Sequence, residues 1–272
     1  MKVVSSSIKD YDELDVPDTI YKYRYWENDY HKTIVTRREV FFAKPSSFED
    51  PFDCKNQVRY DLLTDKDIYD HYFLTSKERN PNWTRQQHRE YARNWTKISP
   101  IKDKEYVKET QKKEFEDYDE QFGVLSLTAD PLNYAMWNCY SNNLKGFAIG
   151  FNTKIMFRYL GGGGAVQYCD ELPIIYPRPK HSFEVQTFLQ NYTKLRKWEF
   201  EKEYRTQLFR PYKMSNKDRT ITLPPEAFKE ILLGPNIEKS IETDLMNCIP
   251  NELSGVKIIK TNLIDNKITI DN

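Results

Sequence analysis

Strand-forming runs recur along almost the whole chain, and no Gly-, Ser- or Pro-rich linker separates them. TIYKYRY at 19–25 alternates aromatic and basic residues; EVFFA follows at 39–43, GVLSLT at 123–128 and FAIGF at 147–151. The chain closes on VKIIKT and KITI. Alternation with period two sends successive side chains to opposite faces of a sheet. Strands spread in this way predict an α+β fold: a mixed, mostly antiparallel sheet with flanking helices, in a single domain over 19–272. Residues 1–18 are polar and read as a tail. A length of 272 residues allows one large domain or two small ones.

Helical signals fall between the strands. A helix is expected over 27–36. The segment 62–120 reads as a charged helical insert, with 12 Lys and Arg against 13 Asp and Glu from Asp65 to Glu120. Trp83, Tyr91 and Trp95 mark the side on which one of its helices is anchored. After the 123–128 strand, Asp130 reads as a helix cap with Pro131 at the first position. Leu132, Ala135, Met136, Cys139 and Tyr140 then recur at helical spacing, with Gly146 as the stop. Gly161, Gly162, Gly163 and Gly164 fit neither a P-loop nor a dinucleotide fingerprint and read as a loop. Further along, a helix is expected over 182–195, a strand over 197–208, and helices over 225–232 and 237–247.

Composition removes several functional classes. Net charge is zero, where a dedicated nucleic-acid binder shows a basic excess. Cys54, Cys139, Cys169 and Cys248 form no C-x-x-C pair and have no histidine at ligand spacing, so no zinc site is predicted. No apolar run reaches the ~20 residues of a membrane span, and the first residues lack the apolar core of a signal peptide. The expectation is a cytoplasmic protein with reduced thiols and no membrane contact. His31, His71, His88 and His181 have no paired nucleophile. Aromatic residues make up 14% of the chain, enough to build a core although aliphatics are few.

Four stretches could carry chemistry. In WEFEKEYRTQ at 198–207, a continuous strand would put Glu199, Glu201, Glu203 and Arg205 on one face. That face is either a carboxylate site or, more simply, a solvated edge strand. In YKYRY at 21–25, Lys22 and Arg24 share a face; a guanidinium fork suits phosphate, although an ordinary strand with an outward Arg is the simpler reading. Ser126 and Thr128 share a face at the end of a strand, where they either orient a ribose or cap the next helix. In FEDPFDC at 48–54, Asp50 and Asp53 are cation candidates, or make a turn anchored by Phe52.

Taken in order, these motifs resemble those of a bacterial protein family of unknown function. The resemblance rests on YKYR at 21–24, F-x-D-P-F-D at 48–53, Met-Trp-x-x-Tyr at 136–140, a Gly-Phe-x-Ile-x-Phe strand at 146–151, W-x-x-E-x-E-x-R at 198–205 and ILLGP at 231–235. It covers about residues 20–265. Where that family implies His in the Met-Trp helix, this chain has Cys139.

The order of Arg, S-x-T and E-x-E is also similar to the ADP-ribosyltransferase core. That resemblance implies NAD as substrate and an acceptor, protein or nucleic acid, that the sequence does not specify, with a bacterial toxin or defence role. It implies Arg24 as the group holding phosphate or ribose, Ser126 and Thr128 as the hydroxyl element, Glu203 as the catalytic carboxylate and Glu201 as its companion. Tyr134 and Tyr140 are the candidates to stack on nicotinamide. Two other readings stand beside it. One is a non-catalytic interaction or sensor domain. The other is a metal-dependent nuclease built on Asp50, Asp53, Glu201 and Glu203.

Overall fold

Alternating apolar residues on both faces of its central strands explain the main sheet of this α+β protein. The computed structural model describes residues 15–270, so most of the tail expected over 1–18 lies outside the described residues. The strands are β1 (Thr19–Arg24), β2 (Glu39–Phe41), β3 (Phe122–Thr128), β4 (Phe147–Asn152), β5 (Gly164–Ala165), β6 (Gln167–Cys169), β7 (Thr193–Leu195), β8 (Glu203–Phe209), β9 (Thr220–Thr222), β10 (Phe228–Leu233), β11 (Lys257–Ile264) and β12 (Lys267–Ile270). The helices are α1 (Asp29–Thr36), α2 (Asp65–Arg79), α3 (Arg85–Ile98), α4 (Lys104–Gln121), α5 (Tyr134–Tyr140), α6 (Thr153–Leu160), α7 (Phe183–Asn191) and α8 (Lys239–Asn247). The chain divides into two compact units. Among the described residues, the first comprises Pro45–Glu120 and Cys169–Leu195; the second comprises the residues up to Lys44, Gln121–Tyr168 and those from Arg196 onward.

The second unit holds an eight-stranded sheet in the order β12-β11-β10-β4-β1-β3-β8-β5. Pairing is antiparallel except between β10 and β11. One face carries Ile20, Leu125, Leu127, Phe147, Ile149, Phe151, Ile231 and Leu233, which pack with Ile34 and Val35 of α1, Met156 and Phe157 of α6 and Leu245 of α8. On the other face, Tyr21, Tyr23, Ala148 and Leu232 pack with Met136 and Trp137 of α5. Trp137 is fully buried, meets Tyr23 edge-on at 4.9 Å and donates to the Pro131 carbonyl at 2.8 Å. Burying side chains of this size contributes on the order of 2–3 kcal/mol each.

Several boundaries differ from the sequence expectations. The helix before Tyr140 begins at Tyr134, because Asn133, rather than Asp130, accepts the capping hydrogen bond; Asp130 closes its own turn onto the Leu132 amide. Gly146 is not a helix cap. A Cβ there would lie 2.1 Å from the Arg24 carbonyl oxygen, so the position is one of close backbone approach between β4 and β1. Helix α6 had no counterpart in the sequence reading. It is capped by Asn152, and Gly161, in the left-handed region at φ 86°, ends it. The expected helix over 225–232 is instead a short 3-10 turn followed by β10. This run is apolar on both sides because β4 and β11 flank it, and a short apolar run does not itself distinguish helix from strand. The helix expected over 182–195 ends at Asn191.

The first unit contains α2, α3 and α7 and most of α4. Thr64 with Asp67 and Thr84 with Gln87 form capping boxes that start α2 and α3. Ile68, Tyr72 and Ala92 form its apolar centre. Trp83 precedes α3 and joins a chain of rings, with Trp83–Tyr91 at 5.9 Å and Tyr91–Trp95 at 6.0 Å. In the 48–54 turn, Asp50 accepts the Phe52 amide and Asp53 pairs with Lys194 at 3.4 Å. Phe52, expected to anchor this turn, is exposed, and Cys54 is the buried residue.

Candidate functional site

Strands β3 and β8 each turn their apolar residues to the main core, and this leaves their polar residues together on the other face. Leu125 and Leu127 of β3 and Tyr204 and Leu208 of β8 join the core. The register pairs Thr128 with Glu203 and Ser126 with Arg205. Tyr21 of β1 is the register partner of Thr128. These residues therefore share the face against which α5 packs.

Glu203 and Arg205 stand two residues apart on one strand, so they are neighbours on that face. The Arg205 guanidinium donates from Nε to Glu203 Oε1 at 2.6 Å and from Nη2 to Oε2 at 2.9 Å. Arg205 is 1% exposed and Glu203 4%. A bidentate fork of this kind fixes the carboxylate in direction. The Glu203 amide meets the Tyr168 hydroxyl at 2.8 Å, and its carbonyl accepts from the Val166 amide.

The strand expected over 197–208 is broken. Residues 196–201 form a 3-10 turn, and Lys202 adopts φ 43° before β8 begins. Glu199 and Glu201 therefore do not continue the face of Glu203. Glu201 is buried in the turn, where its carboxylate accepts the Tyr140 hydroxyl at 2.8 Å and its carbonyl accepts the Thr128 hydroxyl at 2.6 Å. Thr128 Oγ1 also accepts the Asp130 amide, so it ties the turn to the strand end. The Lys202 ammonium pairs with Asp130 at 2.8 Å.

The fold thus brings Ser126, Thr128, Glu203, Glu201 and Tyr140 into one neighbourhood. Arg24 is not on that face. It is the register partner of Phe147 and, by alternation with Ile20, lies on the side of α1. Its guanidinium donates to the Tyr23 carbonyl. Burial pushes its pKa down to about 10, partly offset by Tyr25. Burial, with the Arg24 charge second, pushes neighbouring His31 down to about 4. Tyr134, at the start of α5, is 40% exposed and makes no hydrogen bond to the group. Asp50 and Asp53 belong to the first unit.

Sequence reasoning did not identify the Lys22 ammonium, which donates to the Ser126 carbonyl at 2.6 Å, or Tyr168. No local signal marks either contact. The sequence reading placed Glu203 and Arg205 on one face, and the structure shows that this proximity is a bidentate pair. Among the described residues, no group of three or more His, Cys, Asp or Glu is placed to hold a metal ion. No helix among them is long and apolar enough to cross a membrane. Comparisons of the chain with protein-family models, curated proteins and solved structures find no match.

Proposed function

We propose that this face is the reaction centre of an ADP-ribosyltransferase-like enzyme that cleaves NAD and transfers ADP-ribose to an acceptor nucleophile. The observation that carries the reading is the register that sets the Ser126–Thr128 hydroxyl element directly across from a clamped carboxylate, Glu203. In such a reaction the bond between ribose C1′ and nicotinamide breaks, and nicotinamide departs neutral with the bonding pair. An oxocarbenium-like charge develops on the ribose, and the acceptor bonds to C1′ and gives up its proton. A carboxylate that cannot reorient opposes the developing charge without reorganisation. Arg205 sets the direction of Glu203, Glu201 is the nearby base for the acceptor proton, and the half-exposed Tyr140 ring offers a stacking surface. Arg24, on the other face, has no role in this geometry.

The test is nicotinamide release from NAD with candidate protein and nucleic-acid acceptors. Glu203→Gln is expected to lower turnover by roughly a hundred- to a thousand-fold. Glu203→Gln with Arg205→Gln removes both buried charges, and the loss is expected to persist in that fold-preserving pair. Wild-type protein that releases no nicotinamide, or Glu203→Gln that keeps the wild-type rate, overturns the reading.

A second reading, a non-catalytic interaction domain, is favoured by a different observation: Arg205 occupies both oxygens of Glu203, and both groups are buried. A pair closed in this way serves as structure without any ligand. It predicts no change in melting temperature at millimolar NAD. A binder of the native state instead raises stability by about 2.7 kcal/mol at a hundred times its dissociation constant.

A further inference from the structure

The first unit contains a cleft of about 410 Å³, lined by α2, α3 and α4, that the transferase reading does not use. A volume of roughly 300–1,000 Å³ suits a small molecule. Each helix turns one face to it. Tyr72, Thr75 and Arg79 recur at helical spacing on α2, Tyr91 and Trp95 on α3, and Tyr106, Thr110 and Glu114 on α4. Trp95 stacks on Tyr72 with centroids 5.6 Å apart and lies 6.0 Å from Tyr91. Even so, Trp95 is 38% exposed and Tyr106 45%. These rings leave apolar surface in water within a concavity, and a flat guest that covers them takes that surface out of water.

The polar groups of the cleft set the other features of the guest. Among the described residues, the Thr75 and Thr110 hydroxyls and the Arg79 guanidinium have no hydrogen-bond or ion-pair partner in the protein. Glu114 accepts the Tyr60 hydroxyl at 2.6 Å, and a carboxylate has further lone pairs. Arg79 and Glu114 are both exposed, so water solvates their charges and neither requires a counter-ion. Their part is to orient a guest that the rings hold. A guanidinium fork suits phosphate, and a carboxylate accepts only from N–H or O–H groups. With both charges at one cleft, neither a bare cation nor a bare anion is matched. A flat ring with N–H donors on its edge and a phosphate attached is matched. Nucleotides combine these features, and bases stack readily on aromatic side chains.

We propose that this cleft binds a purine nucleotide, with its base against Trp95 and Tyr106, its N–H edge toward Glu114 and its phosphate toward Arg79. The site stands apart from the proposed NAD chemistry and does not depend on it.

Calorimetric titration of the full chain with guanosine monophosphate, guanosine and ribose 5-phosphate tests the proposal. The nucleotide is expected to bind at least ~tenfold more tightly than either fragment, because only it meets both the rings and Arg79. Arg79→Gln changes an exposed side chain and leaves the rings in place. It is expected to reduce the nucleotide to the affinity of guanosine while guanosine itself binds as before. Trp95→Leu is expected to weaken the nucleotide by about tenfold or more, and Trp95→Phe by only a few-fold, since it keeps a stacking face. Glu203→Gln, on the proposed transferase face, is expected to leave this binding unchanged. No binding of the nucleotide at millimolar concentration, equal affinity for ribose 5-phosphate, or unchanged nucleotide affinity in Arg79→Gln overturns the proposal.

Discussion

Glu203 and Glu114 are both carboxylates among tyrosines, but their charges are handled in opposite ways. Glu203 lies in a sheet strand, and the same strand supplies its partner: both oxygens are taken by Arg205 two residues on. Glu114 lies on α4 with a single hydrogen bond, from the neutral Tyr60 hydroxyl. In the first case the desolvation of two ions is offset inside the fold, and the carboxylate is held rigid. In the second the carboxylate is exposed, so water solvates its charge and no counter-ion is required. Exposure therefore decides whether a carboxylate needs a counter-charge inside the fold.

The largest effect that tests this contrast comes from breaking the closed pair. Arg205→Ala removes the bidentate partner of a buried carboxylate and is expected to cost about 3–5 kcal/mol in denaturant unfolding. Glu114→Gln is expected to stay within about 0.5 kcal/mol of wild type, as surface substitutions do. Equal costs for the two variants would break the comparison.

A smaller effect concerns the turn that presents Glu203. Lys202 holds φ 43°, a conformation that costs an L-residue on the order of 1–2 kcal/mol. A β-branched side chain fits it worse still. Lys202→Val is expected to destabilise by about 1–2 kcal/mol, whereas Lys202→Gly relieves the strain and is expected to be neutral or mildly stabilising. Melting of the two variants side by side checks the sign. If valine and glycine behave alike, the break between Glu201 and Glu203 is not a strained one.

The smallest effect is a pH dependence from Glu114. Its folded-state pKa is raised by burial, so the folded state binds its proton more tightly than the unfolded state does. The associated stability is fully present below the ordinary glutamate value of about 4.3 and is lost as pH rises through the raised value. Wild type is therefore expected to lose stability relative to Glu114→Gln as pH rises through that window. Parallel pH profiles for wild type and variant would show that Glu114 already has its charge compensated.

The amino-acid sequence by itself determined the strands whose alternation is strong. β1, β3, β4, β11 and β12 lie where period-two patterning put them, and α8 lies where its helical pattern put it. The sequence also paired Lys22 with Arg24, and Ser126 with Thr128, on shared faces, because side-chain direction in a strand follows from the backbone alone. Tertiary structure decided everything that depends on a distant partner. The run at 197–208 looked like a single strand; the turn onto Ala129 and Asp130 breaks it at Lys202 and sends Glu201 to Tyr140. The apolar run of β10 became a strand because β4 and β11 flank it. Whether Arg24 would share a face with Ser126 and Glu203 depended on the registers Tyr21–Thr128 and Thr128–Glu203, which no local pattern encodes. The cleft lined by residues from Tyr60 to Glu114 formed only once those helices were packed. Short-range sterics set direction along a strand, whereas register, burial and ion pairing arise from contacts between residues far apart in the chain.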